Sequence, residues 1–268
     1  MTAPKRLAAA VLLLPLFLSS PVIWPTEANA QKKPKPEDVV ESSILFYGSR
    51  AALYGIQRNG TLRALIKFFT PEGTREGKSV TKFIRKPKLA EDLMMIDLEL
   101  PGTRYIIGFD GQETWTIHDG EVQKPAEEAV AAFQSGHEHS YEALLRYKEN
   151  GSKLEYVGAK KLGTVEMDII DMTSPGGART RYEISRRTHH IIYAEYEDSQ
   201  STPVKYRLYF KDFKPVQNTL VPHEIQVFQD GKLIEERRLV ESAFNIQLDE
   251  KAFKAENANK PTDDAVRP

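Results

Sequence analysis

Val204-Lys205-Tyr206-Arg207-Leu208-Tyr209-Phe210-Lys211 changes character at every second residue. In an extended chain, successive side chains point to opposite faces. Val204, Tyr206, Leu208 and Phe210 therefore share one face, and Lys205, Arg207, Tyr209 and Lys211 share the other. That is the pattern of a half-buried strand. The same period appears on both sides of it. Upstream it marks Leu154–Tyr156, Met167–Ile169, Tyr182–Ile184 and the set Ile192, Ala194 and Tyr196. Downstream, Ile225–Phe228 leads to an Asp230-Gly231 turn. A long last strand follows, with Ile234, Glu236, Arg238, Val240, Ser242 and Phe244 on one face.

The first half of the chain repeats the theme. Leu62, Ala64, Ile66 and Phe68 alternate with Arg63 and Lys67. Met94, Ile96, Leu98 and Leu100 alternate with Met95, Asp97 and Glu99, and Tyr105, Ile107 and Phe109 follow. Trp115 and Ile117 come next. Asp110-Gly111 and Asp119-Gly120 tolerate the positive φ of tight turns. The reading is a series of antiparallel hairpins.

Three helices interrupt the strands. Val40, Ile44, Tyr47, Ala51 and Tyr54 recur at helical spacing behind Glu37 and Asp38, which suit a helix N-terminus. Pro125 opens a second stretch with Ala126, Ala129, Val130 and Phe133 on one side, closed by Gly136. A short third helix starts after Ser140 and turns Tyr141, Leu144 and Leu145 inward. Three helices cannot cover both faces of about a dozen strands. The sheet is therefore expected to curl and enclose its apolar face, leaving more room than its own side chains fill.

The first thirty residues read differently. Lys5 and Arg6 precede an apolar run from Leu7 to Leu18, and Ala28-Asn29-Ala30 supplies small residues for cleavage. This is the order of a secretory signal peptide, and the run is too short for a transmembrane span. The expectation is a soluble, exported mature chain from Gln31. The Lys/Pro-rich residues 31–36 are a flexible lead-in, 37–255 form one domain, and 256–268 form a disordered tail. The 268-residue chain is 40% hydrophobic and 28% charged. It has no Cys, which removes disulfides and any acylated cysteine anchor. Its formal charge of −1 gives no reason to expect nucleic acid as a partner.

Catalytic motifs are missing. The sequence has no Gly-x-Ser-x-Gly, no phosphate-binding loop and no His-Glu-x-x-His. His137-Glu138-His139 is the most metal-like cluster, with His118 or His189-His190 as distant candidates. It reads as a polar loop between two helices, and no metal or cofactor is expected. Asp97 and Glu99 could form a carboxylate pair but read as a solvated strand face.

Four stretches carry a family resemblance. Leu154–Gly163 leads to a strand ending Ile170-Asp171, and Tyr209–Ile225 has a strand, aromatics, a short turn and a strand with proline. Phe109–Trp115 holds an Asp-Gly hairpin followed by Trp, and Asn245-Ile246 with Phe253 closes the domain. These stretches resemble the LolA/LolB-like periplasmic lipoprotein-carrier superfamily over residues 37 to 255. The resemblance implies an open half-barrel with helices as a lid over an apolar cavity. It implies a non-catalytic carrier for acyl chains of lipid or lipoprotein, with a membrane-bound donor or acceptor protein as partner. The lack of Cys fits the shuttling rather than the anchored type. The expected cavity and lid residues are Leu62, Ile66, Phe68, Met94, Ile96, Leu98, Tyr105, Ile107, Trp115, Val130, Phe133, Leu144 and Leu145. Two other readings stand beside it: an envelope interaction or stress-sensing module working through its sheet, and a metal-assisted hydrolase.

Overall fold

The structure is a computed structural model, and it describes residues 33–198 and 203–258. The expected signal peptide, the start of the lead-in and most of the expected tail lie outside the described residues. Among the described residues no helix is long and apolar enough to cross a membrane.

Thirteen described strands form one antiparallel sheet in two meanders. The first runs β1 (Asn59–Thr70), β2 (Gly73–Ile84), β3 (Leu93–Leu100), β4 (Thr103–Phe109), β5 (Thr114–His118) and β6 (Glu121–Gln123). The second runs β7 (Lys153–Leu162), β8 (Val165–Thr173), β9 (Arg179–Ser185), β10 (Ile191–Asp198), β11 (Val204–Val216), β12 (Thr219–Gln229) and β13 (Lys232–Phe244). β1 pairs with β13, so β6 and β7 lie at opposite edges. The sheet is curved and open rather than closed into a barrel.

This order dictates where the middle helices go. Between β6 and β7 the chain must travel from one edge of the sheet to the other. It does so through α3 (Glu127–Glu138) and α4 (Tyr141–Leu145), which lie over the inner face. Ser140 caps α4 by accepting the Ala143 N–H at 3.2 Å. Gly136 does not end α3, which runs on to Glu138, because an exposed Gly inside a helix is costly but not forbidding.

The first helical face is split into α1 (Pro36–Phe46) and α2 (Ser49–Gly55). The break falls at Gly48, whose φ is 121°. A Cβ there would stand 2.8 Å from the Asn218 carbonyl oxygen, in the turn between β11 and β12. Tyr47, fully buried just before the break, accepts the Ile191 N–H on its phenol oxygen at 3.3 Å.

The inner face of the second meander holds the main core. Val40 and Ile44 from α1 and Leu144 from α4 pack on Ile170, Tyr182 and Phe210. A second core lies on the outer face of the first meander. There Trp115, Met95, Ile106 and Ile117 are covered by Phe253 and Ala258 of the C-terminal segment. Trp115 Nε1 donates to the Phe253 carbonyl at 2.8 Å. Ordered elements thus continue past 255, in α5 (Ala255–Ala258).

β2 carries no alternation that the sequence makes visible. Its first half, from Gly73, is polar and exposed, and only Phe83 and Ile84 at its end enter a core. The charged outer face of the second meander is also less solvated than alternation implied. Glu183 is buried beneath Lys160 and Arg207, and Asp171 beneath Arg179 and Arg181.

Candidate functional cavity

Strand register decides which side chains meet. Leu62 pairs with Thr81, Thr81 with Ile96, and Ile96 with Ile107, with no shift in these ladders. Directly paired residues share a face. One inner face therefore carries Leu62, Ile66, Phe68, Met94, Ile96, Leu98, Tyr105 and Ile107. Trp115 pairs with Gly108, one residue out of phase with Ile107, so it faces outward. Its expected place in the cavity is corrected: it belongs to the outer core. Gly108 makes room for it, since a Cβ there would stand 2.3 Å from the indole.

A cavity of about 460 Å³ lies between this face, the inner face of β11 to β13, and α3. Leu62, Met94 and Ile96 line one wall. Leu208, Ile225 and Val227 line the facing wall, and Phe133 of α3 covers them. Ile66, Phe68, Leu98, Tyr105 and Ile107 extend the same apolar face but do not line the cavity. Val130 is half-buried on α3 outside the lining. Leu144 and Leu145 are not lid residues over this space. They are buried in the main core at 0% and 3% exposure, because α4 packs down beside α1.

The cavity also has a polar side that alternation did not reveal. The register shifts between Val227 and Phe228 opposite β13. Glu235 and Arg237, rather than Glu236 and Arg238, therefore face inward, and they pair at 2.6 Å. Tyr196 and Tyr206 stack at 5.2 Å on the same rim, and burial raises the pKa of both phenols. Arg85 and Phe83 enter from the end of β2, the strand the sequence reading missed. An Arg at the junction of an apolar Phe83-Ile84 pair and a proline-containing turn was the available signal.

His137-Glu138-His139 is not a polar loop. The three residues close α3 and are tied down. His137 Nε2 lies 3.2 Å from both Asp92 Oδ2 and the Leu89 carbonyl. His139 is buried, stacked at 3.8 Å on Tyr196, and bonded to Thr180 Oγ1 at 2.6 Å. Among the described residues, no group of three His, Cys, Asp or Glu converges to hold a metal ion. Asp97 is engaged by Arg104 through two hydrogen bonds of 2.9 and 2.6 Å.

No family model and no curated protein matches the sequence. Solved structures do match the fold. A LolA superfamily protein from Nitrosomonas europaea superposes with a TM-score of 0.59 at 7% identity, over 83% of this chain and 99% of that one. A DUF1329 family protein from Desulfovibrio piger gives 0.58 at 13% identity, over 83% and 99%. A domain described as an outer membrane lipoprotein-sorting protein, from Vibrio parahaemolyticus, gives 0.55 at 10% identity, over 82% and 96%. At such identities the likeness is one of fold. The chain has a LolA-like fold.

Proposed function

We propose that this chain is a non-catalytic carrier that holds acyl chains of a lipid or a lipid-modified protein in the cavity beneath α3. The observation behind this reading is the apolar wall of Leu62, Met94 and Ile96 facing Leu208, Ile225 and Val227 across open space. The volume lies in the range of small-molecule sites. Burial of an acyl chain there gains about 0.8 kcal/mol per CH₂. Phe133 sits where a chain would have to pass or displace the helix. The signal-like leader supports a carrier that works outside the cytoplasm and hands cargo between membrane-bound donor and acceptor proteins.

Uptake of a fluorescent acyl probe by the purified protein tests the reading. The wild type should bind the probe. Ile96→Glu should abolish binding while the protein stays folded, because an open cavity can hydrate a carboxylate and a filled core cannot. A wild type that takes up no probe, together with an Ile96→Glu variant that unfolds, means a packed core and ends the carrier reading.

A further inference from the structure

A second cavity, of about 710 Å³, opens between α2, the segment after β2, and α4. Arg85 and Glu142 line both cavities, so the two spaces meet at that pair. Five cations line the second one: Arg50, Arg58, Arg85, Lys86 and Arg146. Two carboxylates, Glu142 and Glu149, line it with them.

Three of the cations are already matched. Arg50 bonds Glu41 at 2.7 Å and Glu149 at 2.5 Å. Arg146 bonds Asp92 at 2.5 Å, and Lys86 bonds Glu250 at 2.5 Å. Arg58 is exposed and makes no ion pair among the described residues. Arg85 is different again. Its side chain is 16% exposed, yet its nearest carboxylate, Glu142, is 3.7 Å away, beyond hydrogen-bond reach. Nη1 donates to Gln57 Oε1 at 3.1 Å, and the guanidinium lies 5.1 Å from the Phe83 ring. Gln57 is held in turn by its 2.8 Å bond to Thr219 Oγ1. A guanidinium offers five N–H donors, so Arg85 keeps most of its capacity unspent at the mouth of an apolar space. Desolvation lowers its pKa below the usual arginine value, and the Glu142 carboxylate offsets only part of that.

We infer that the cargo is an acyl lipid with a phosphate head group, its chains in the apolar cavity and its phosphate at the junction on Arg85, with Arg58 beside it. This rests on the acyl-binding reading and adds the chemistry of the head. An amphiphile whose chains fill the inner cavity has its polar end at the boundary with the second one. Arginine is suited to phosphate because its planar fork gives two parallel charge-assisted hydrogen bonds. The matched pairs of Arg50 and Arg146 hold the walls and leave the phosphate to Arg85, whose carboxylate neighbour stands off at 3.7 Å, and to Arg58.

Two fluorescent lipids with identical chains test this: phosphatidylglycerol and diacylglycerol. The purified wild type should bind phosphatidylglycerol about tenfold more tightly. In Arg85→Gln the ratio of the two affinities should fall toward one, and Arg85→Lys should restore part of it. Arg58→Gln, at an exposed position, should lower the ratio a few-fold. Equal wild-type affinities, or a ratio unaffected by Arg85→Gln and Arg58→Gln, overturn the head-group inference while leaving the acyl site standing. Binding of neither lipid by a wild type that still takes up the fluorescent acyl probe overturns the head-group inference alone, and no uptake of either lipid or of the probe overturns both readings. Inorganic phosphate that binds through Arg85 while neither lipid does assigns the site to free phosphate and ends the proposal.

Discussion

Arg146 grips Asp92 through two hydrogen bonds, Nη1 to Oδ2 at 2.5 Å and Nη2 to Oδ1 at 3.1 Å. The side chains are 7% and 1% exposed. The pair fastens the end of α4 to the turn before β3, and Asp92 also accepts the Lys86 N–H at 2.7 Å. Removing one partner strands the other as a buried charge. Arg146→Ala should cost about 3–5 kcal/mol in urea unfolding. A loss below about 1 kcal/mol contradicts a structural role for the pair.

The same carboxylate makes stability depend on acid. Burial raises its pKa, but hydrogen bonds from His137 and Arg146 outweigh that and hold it below the usual aspartate value. Its contribution is present above the unfolded pKa, about 4, and is lost as pH falls through the lower folded value. Melting temperature measured from pH 6 to pH 2 should fall steeply in the wild type. Asp92→Asn should start lower and show a shallower fall over the low end of that range.

His139 carries a second acid-side dependence, in a different window. Burial pulls its pKa down to about 4 from an ordinary 6.5. The neutral ring fits the native state, so stability is full above about pH 6.5 and drains away as pH falls toward 4. The whole effect amounts to about 3 kcal/mol. NMR titration of the ring should give a midpoint near 4, and a midpoint near 6.5 contradicts the buried stack on Tyr196.

The outer core makes Gly108 a strict position. Gly108→Ala drives a methyl group into the indole of Trp115 and should lower stability by about 1–3 kcal/mol. Trp115→Ala leaves a hole beneath Phe253 and should cost about 3–5 kcal/mol. Limited proteolysis should then cut first near Phe253. Unchanged protease resistance shows that the C-terminal segment holds without the indole.

Gly48→Ala tests the break between α1 and α2. The backbone φ of 121° and the 2.8 Å approach of the Asn218 oxygen both exclude a side chain. The expected loss in thermal or urea unfolding exceeds about 1 kcal/mol. A variant as stable as the wild type means the helices continue through this point.

Period-two alternation made most strands legible, from Leu62–Phe68 to Val204–Lys211, because one of their faces is buried and the other is not. β2 was illegible for the opposite reason: its first half is exposed on both faces and carries no pattern. Register explains the inward turn of Glu235 and Arg237, since a single bulge reverses the faces downstream and leaves no trace in composition. The chain of paired residues from Leu62 to Ile107 was legible as one face, and three of the expected strand residues line the cavity with Phe133. Trp115, Leu144 and Leu145 fell elsewhere because which apolar face is filled by a helix, and which by a tail, depends on crossings that sequence alone does not show. His139 is not legible in the sequence, because its partner Thr180 lies on a distant strand.

The pairing of β1 with β13 sets the order in which the fold can be completed. β1 is the first described strand and β13 the last, and their ladder joins the two meanders at the middle of the sheet. Each meander can form from local hairpins as it emerges, but the seam between them waits for residues near the end of the chain. Until then β1 presents an unpaired apolar edge, a template for the wrong partner. Contacts of such long sequence separation close slowly. If the chain is exported from its N-terminus, as its signal-like leader suggests, that edge would stay open for the whole passage, and guarding β1 would fall to whatever meets the chain on the far side.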